Sequence, residues 1–370
     1  MKLLIATDNY APRYDGISRF LQETIPALAE HHDVHVLAPN YGPTQDSVPT
    51  TKIPLQRIQI GDYHPPKFKP FTVWKQVKNA DAVFIQSLGT IGALALISAR
   101  IQKKKTVLFT HSIEWELVPK SARAQLIHRT FPRVIKAIDR VLYKWIDLLI
   151  TPSENVSEQY YWNRIENDRV TIHLGVDKNH FQPPINKQQA KKQAGLDPDS
   201  YIIGYHGRLA REKDLKTLLR AYKRFTRTNP QTKSHLLIVG DGLREIREML
   251  EREGVTVTGF VANPAPLLQA MDVYVMPSTT ETTCLSVLEA MSSALPVIST
   301  PVGFVNDYIQ HEKNGYLFEE RNDYELAKRL EELQDHQKRV TIGKTARRNI
   351  TKRFSWQHTR EEIVRVFNQL

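Results

Sequence analysis

An alternation runs through almost the whole chain and limits the folds open to it. Short apolar runs recur, each followed by a turn and then by a stretch with helical spacing. In the second half the runs are 201–207 (YIIGYHG), 235–242 (HLLIVGDG), 255–261 (VTVTGFV), 273–278 (VYVMPS) and 296–300 (PVIST). The first half has 2–7 (KLLIAT), 33–38 (DVHVLA), 51–60, 82–86 (AVFIQ), 106–110 (TVLFT) and 147–153 (DLLITPS). Continuous apolar strands alternating with helices build parallel sheets covered on both faces. The pattern predicts the α/β class and two doubly wound domains. Between the halves, GVDKNHFQPP has no period and is rich in turn residues, so it reads as a linker, with the boundary near 178–186.

A chain of 370 residues is long enough for two such domains. Its single cysteine, Cys284, excludes an intramolecular disulfide and fits a reducing compartment. The apolar run after Met1 is too short for a secretory signal, and no stretch reaches the apolar length of a membrane span. The expected location is the cytoplasm, or the cytoplasmic face of a membrane as a peripheral protein. A net charge of +11 suits polyanions of any kind. Zinc-finger spacing, aromatic RNA-binding signatures and a Walker loop are all missing, so nucleic acid ranks low as a partner.

The chemistry concentrates in Pro277–Pro296, PSTTETTCLSVLEAMSSALP, where seven residues separate Glu281 from Glu289. A strand reading ends just before this stretch. A helix reading starts inside it, with Thr280, Thr282 and Thr283 as candidate caps and Val287, Leu288 and Met291 at helical spacing. A strand C-terminus opening into a helix N-terminus is where open α/β sheets bind ligands. The free N–H groups there favour a phosphate, which two carboxylates cannot serve. They are better used as acceptors for hydroxyls, and a sugar and a ribose supply hydroxyls. On spacing alone, a helix-start charge and a solvated helix residue would be the better account of the pair.

Gly207-Arg208 and Lys213 follow another strand. A cation pair there can clamp a diphosphate, although in so basic a chain any one of them also reads as surface charge. His111 directly follows the run 106–110. Gly16 lies between a strand and a helix, either as a plain turn residue or to let backbone approach a ligand. Residues 119–145 are strongly basic, with Lys120, Arg123, Arg129, Arg133, Lys136 and Arg140 against one acid, Asp139. Val134, Ile138, Val141, Leu142 and Trp145 take the opposite helix face. The segment reads as a core helix with a solvated basic face, or as a surface for anionic lipid headgroups. YHPPKFKP reads as a surface loop or part of an acceptor-binding rim.

The frame PS-x(2)-E-x(7)-EAM-x(4)-PV closely resembles the donor-site signature of the retaining family-four glycosyltransferases with the GT-B fold. GRLAREK resembles their G-R-L-x(2)-E-K run, and the resemblance extends over nearly the whole chain. It implies two Rossmann-like doubly wound domains facing an interdomain cleft. Residues 1–180 would bind the acceptor and 181–355 the donor, with a C-terminal crossover helix, 356–370, packing back on the first domain. Arg208 and Lys213 would grip the donor diphosphate, helped by the N–H groups of Thr282, Thr283 and Cys284. Glu289 would bind the ribose, Glu281 the sugar hydroxyls, and His111 would position sugar and acceptor. The backbone of Gly259, Phe260 and Val261 would read the base. The family's glycine pair near the diphosphate is reduced here to Asp15-Gly16, so only Gly16 carries over. The expected reaction moves a hexose from a UDP- or GDP-sugar to an acceptor, such as a membrane lipid or lipid-linked glycan, with retention. It needs no cofactor beyond the nucleotide sugar, and with no D-x-D sequence no metal is expected. The expected partners are the nucleotide sugar, a lipid or glycan acceptor and an anionic membrane surface. A nucleotide-sugar-binding or epimerising enzyme of the same fold is the alternative. A basic nucleic-acid-binding protein would explain the charge but not Glu281 and Glu289.

Overall fold

The computed structural model describes residues 1–13, 15–57, 64–111, 113, 136–281 and 283–370. It divides into two compact units: Met1–Leu174 with Trp356–Leu370, and Gly175–Ser355. Among the described residues no helix is long and apolar enough to cross a membrane.

The first unit is built on β1 (Lys2–Ala6), β2 (Asp33–Pro39), β3 (Thr50–Ile53), β4 (Ala82–Ile85), β5 (Lys105–Phe109), β6 (Leu148–Thr151) and β7 (Arg169–Thr171). Their spatial order is β3-β2-β1-β4-β5-β6-β7 and every pair is parallel. The apolar runs of the sequence become strands buried on both faces, as in β4, where all four residues are buried. The run 51–60 is shorter than expected. β3 ends at Ile53 because Pro54 has no N–H to continue the ladder. The chain order reverses between β1 and β4, and there Asp8 plugs the fold. Its carboxylate accepts from Ile91 N at 2.8 Å, Gly92 N at 3.1 Å and Ser87 Oγ at 3.2 Å, closing the first turn of the helix Thr90–Ile101. Burial raises the Asp8 pKa and these bonds pull it back. The final helix, Trp356–Asn368, belongs to this unit. Phe367 meets Phe84 at 4.8 Å between ring centroids, Arg360 pairs with Glu23 at 2.9 Å, and Thr359 Oγ1 donates to the His173 carbonyl at 2.7 Å.

The second unit holds β8 (Tyr201–His206), β9 (Ser234–Val239), β10 (Thr256–Val257), β11 (Val273–Met276), β12 (Val297–Ser299) and β13 (Tyr316–Leu317). The order is β10-β9-β8-β11-β12-β13, again all parallel. β8 and β11 are buried throughout, and full burial of each Ile, Val or Met side chain is worth about 1.5–3 kcal/mol. The run 255–261 gives only a two-residue strand, because Gly259 turns the backbone into the left-handed region at φ +75°. Gly240 has φ +144°, and a Cβ there would lie 2.0 Å from the Gly207 carbonyl oxygen. The turns after β8 and β9 therefore touch backbone to backbone. Gly240→Ala is expected to cost about 2–4 kcal/mol, read as a lowered chemical-denaturation midpoint; an unchanged midpoint would refute this contact.

Candidate functional site

In the second unit the chain steps outward from β8 to β10, returns to β11 beside β8, and then walks the other way to β13. Open α/β sheets bind ligands outside the strand ends at such a reversal. The register Val273↔Ile203 and Tyr274↔Gly204 brings the ends of β8 and β11 side by side. Two loops leave those ends, 207–214 and 277–284.

The loops are joined by charge. Lys213 closes a 3-10 turn, Arg211–Lys213, and its ammonium lies 2.5 Å from Glu281 Oε1. Both side chains are largely buried, 15% and 10% exposed. Ser278 Oγ donates to the same carboxylate oxygen at 2.8 Å. Thr279 N donates to the Glu212 carbonyl at 2.7 Å, and the buried Glu212 carboxylate takes Arg208 at 2.9 Å. Burial works against the charge on Lys213, but Glu281 offsets it and holds the ammonium pKa above its usual value, with Arg208 pulling the other way. Arg208, Lys213, Glu212 and Glu281 therefore form one electrostatic cluster. Asp214 takes a left-handed conformation, φ +41°, to swing the chain from this turn into the helix Leu215–Thr228. Arg211 points away and pairs with Glu245.

The helix after β11 starts later than the threonines imply. It runs Leu285–Ser292 with Cys284 at its cap, φ +51°, and among the described residues no side chain caps it. Glu289 is thus the fifth helical residue, little more than one turn in. Its Oε2 meets His206 Nε2 at 2.6 Å, and the Tyr274 hydroxyl donates to the His206 carbonyl at 3.0 Å. His206 and Glu212 escaped the sequence reading. The signal for His206 existed, since it ends an apolar strand as His111 does. Thr283 and Cys284 are buried, and burial first, then the Glu281 charge, push the Cys284 thiol above its usual pKa, which makes it a poor nucleophile. Thr282 lies outside the described residues. Gly259 bridges to Gly240, Phe260 is 57% exposed, and Val261 packs partly on the core.

In the first unit, Gly16 opens the helix Gly16–Ala29 behind Asp15, whose carboxylate accepts from Ser18 N at 2.9 Å. A Cβ on Gly16 would meet nothing within 4 Å, so the fold itself does not require glycine there. His111 bonds to Gln86 Oε1 through Nε2 at 2.9 Å, with Phe109 stacked at 4.5 Å and Phe20 edge-on at 5.0 Å. Burial pushes its pKa down to about 3, so it is neutral at physiological pH. Lys120, Arg123, Arg129 and Arg133 lie outside the described residues. Lys136 and Arg140 lie on a helix over 136–143, and Arg140 Nε donates to the Asn163 carbonyl at 2.8 Å. Of the expected apolar face, Leu142 and Trp145 pack against the core, whereas Ile138 and Val141 are exposed and Asp139 and Tyr143 turn inward, the Tyr143 hydroxyl meeting that of Tyr160 at 3.0 Å. Burial raises the Asp139 pKa to about 6.

The two reversal points differ in one respect that matters for an anion. In the first unit, the Asp8 carboxylate already occupies the helix N-terminus. In the second unit, among the described residues no carboxylate caps the helix after β11, and two cations stand on the neighbouring loop.

Residues 200–336 match the family model for glycosyl transferases group 1, and residues 14–180 match that for glycosyltransferase family 4. A UDP-Gal:alpha-D-GlcNAc-diphosphoundecaprenol alpha-1,3-galactosyltransferase of Escherichia coli is 25% identical, over 96% of this chain and 94% of that protein. An alpha-monoglucosyldiacylglycerol synthase of Streptococcus pneumoniae is 24% identical, over 87% of this chain and 76% of that protein. Other curated relatives are longer, and the chain spans 55%, 50% and 59% of three of them, about half their length. The crystal structure of Anabaena HepE in complex with UDP-glucose shares the fold, with a TM-score of 0.78 at 19% identity and full coverage of both chains. With one model on each half, the chain belongs to the group-1, family-four glycosyltransferases and has their two Rossmann-like GT-B domains.

Proposed function

We propose that the chain is a retaining hexosyltransferase, drawing on a nucleoside diphosphate sugar and delivering to a lipid or lipid-linked glycan. The observation that carries this reading is the buried Lys213–Glu281 pair, 2.5 Å apart at the β8–β11 reversal. On arrival of the donor, Lys213 and Arg208 exchange their carboxylate partners for the diphosphate. Glu281, released from Lys213, accepts hydrogen bonds from the sugar hydroxyls. Glu289, aimed by His206, accepts from the ribose. Two cations and the N–H groups at 283–285 then face the charge that grows on the leaving diphosphate, where stabilisation lowers the barrier most. The bond from the anomeric carbon to the phosphate oxygen breaks as the acceptor oxygen bonds the same face, and the departing phosphate takes the acceptor proton. No protein nucleophile is needed. The part given to His111 and to the 259–261 backbone rests on the family resemblance. The lipid acceptor is supported by two relatives, one named for a diphosphoundecaprenol acceptor and one for a monoglucosyldiacylglycerol product.

Three outcomes test this. A nucleotide sugar at a hundred times its dissociation constant should stabilise the wild type by about 2.7 kcal/mol. Lys213→Ala should lose most of that increment and about a hundredfold or more in turnover. The increment is the quantity to read, because stranding Glu281 costs the free protein about 3–5 kcal/mol regardless; a variant with a full increment would remove Lys213 from the site. Glu289→Ala should erase a roughly tenfold preference for ribose over 2′-deoxyribose donors, measured as a ratio of Kd values. Retention of that preference would assign Glu289 to structure alone. Finally, turnover should survive exhaustive chelation, and a loss restored by a divalent ion would show that a metal shares the diphosphate.

A further inference from the structure

A polar side chain sits in the first sheet where packing has no use for one. Gln86 directly follows β4, whose four residues are all apolar and buried, and it is itself 0% exposed. Its backbone N–H donates to the Ala6 carbonyl at 2.9 Å, so the main chain simply extends the sheet. The side chain is what departs from the pattern. Its Oε1 lies 2.9 Å from His111 Nε2, while among the described residues its own Nε2 is buried without a hydrogen-bond partner. Buried amide groups are rarely left so, because an orphaned donor weakens the fold. A methionine of the same length would leave no such donor, so packing does not account for the glutamine.

The one contact its amide makes has a chemical consequence. An amide oxygen only accepts, so His111 must carry a proton on Nε2. Burial keeps the ring neutral, which leaves Nδ1 without one. The surrounding rings cannot make that choice. Phe109 stacks on the imidazole at 4.5 Å and Phe20 stands edge-on at 5.0 Å. Both restrain its plane, and neither tells one ring nitrogen from the other. A group that meets Nδ1 must therefore donate, as a sugar or acceptor hydroxyl does.

We propose that Gln86 is a positioning residue for the transfer: buried out of reach of substrate, it fixes which nitrogen of His111 carries the proton, and the reaction depends on that choice. The inference rests on the part that the family resemblance gives to His111 and adds the residue that prepares it. Long-range proton–nitrogen correlation spectra of the protein with 15N-labelled histidines read the tautomer without any ligand, and His111→Ala identifies the His111 signals. The expected spectrum at neutral pH has Nε2 protonated and Nδ1 bare; a proton on Nδ1 would overturn the proposal outright. Gln86→Met keeps the length and removes the acceptor. It should release the ring to the other tautomer and lower turnover about tenfold or more, read as nucleoside diphosphate released from the nucleotide sugar that stabilises the wild type. Its donor-dependent stabilisation should persist, because the diphosphate and ribose contacts lie in the second unit. His111→Ala should lose at least as much turnover, and Gln86→Met/His111→Ala no more than His111→Ala alone, since the glutamine acts only through the ring. Wild-type turnover in Gln86→Met beside an impaired His111→Ala would overturn this inference and leave the reading of His111 standing. Wild-type turnover in His111→Ala would remove His111 from the reaction, and the inference with it. An unchanged tautomer in Gln86→Met would reduce Gln86 to a structural residue.

Discussion

A lysine and a glutamate 68 residues apart in sequence hold the two loops at the β8–β11 reversal together through a contact of 2.5 Å. A buried ion pair is a poor way to gain stability, because removing two charges from water costs about as much as their attraction returns. It does keep two opposite charges in place with little exposure until a ligand brings its own. A diphosphate offers the ammonium a better partner, and a sugar hydroxyl offers the carboxylate a neutral one. Arg208 with Glu212 repeats the arrangement on the same loop, and Glu289 is held by its hydrogen bond to His206. On the proposed reading, a nucleotide sugar takes over the partners of Lys213 and Arg208, while Glu289 keeps His206.

The fold was legible because buried parallel strands must be continuous apolar runs, and nothing else in the chain competes with that pattern. Boundaries were less so. The run 255–261 is apolar to its end, yet a left-handed Gly259 stops the strand, and apolarity does not encode a dihedral angle. Lys213 and Glu281 could be picked out by their frames, whereas their contact, and that between His206 and Glu289 across 83 residues, depends on the sheet order. Within GRLAREK, composition does not tell which charged residue goes inside, and Glu212 does. The helix over 136–143 misled for a related reason. Counting apolar positions places Leu142 and Trp145 but passes over Tyr143, which is buried against Tyr160 while Ile138 and Val141 stay exposed.

The two units show how one topology takes different roles. Both reverse strand order beside their first strand, and both start a helix there. The first unit fills its helix N-terminus with Asp8, whose bonds to Ile91 and Gly92 satisfy the amides that would otherwise attract an anion. In the second, no carboxylate among the described residues caps that helix, and Lys213 and Arg208 stand on the neighbouring loop. An acid in one place and cations in the other support the proposal that the phosphate goes to the second unit.

The central claim is a change of partners. A crystal structure of the second unit's site with an intact nucleotide sugar bound would test it most directly. The account predicts Lys213 Nζ on a diphosphate oxygen, the Glu281 carboxylate turned to the sugar hydroxyls, and Glu289 still held by His206 while it meets the ribose. A bound nucleotide sugar beside an unbroken Lys213–Glu281 pair, with its phosphates elsewhere, would contradict it.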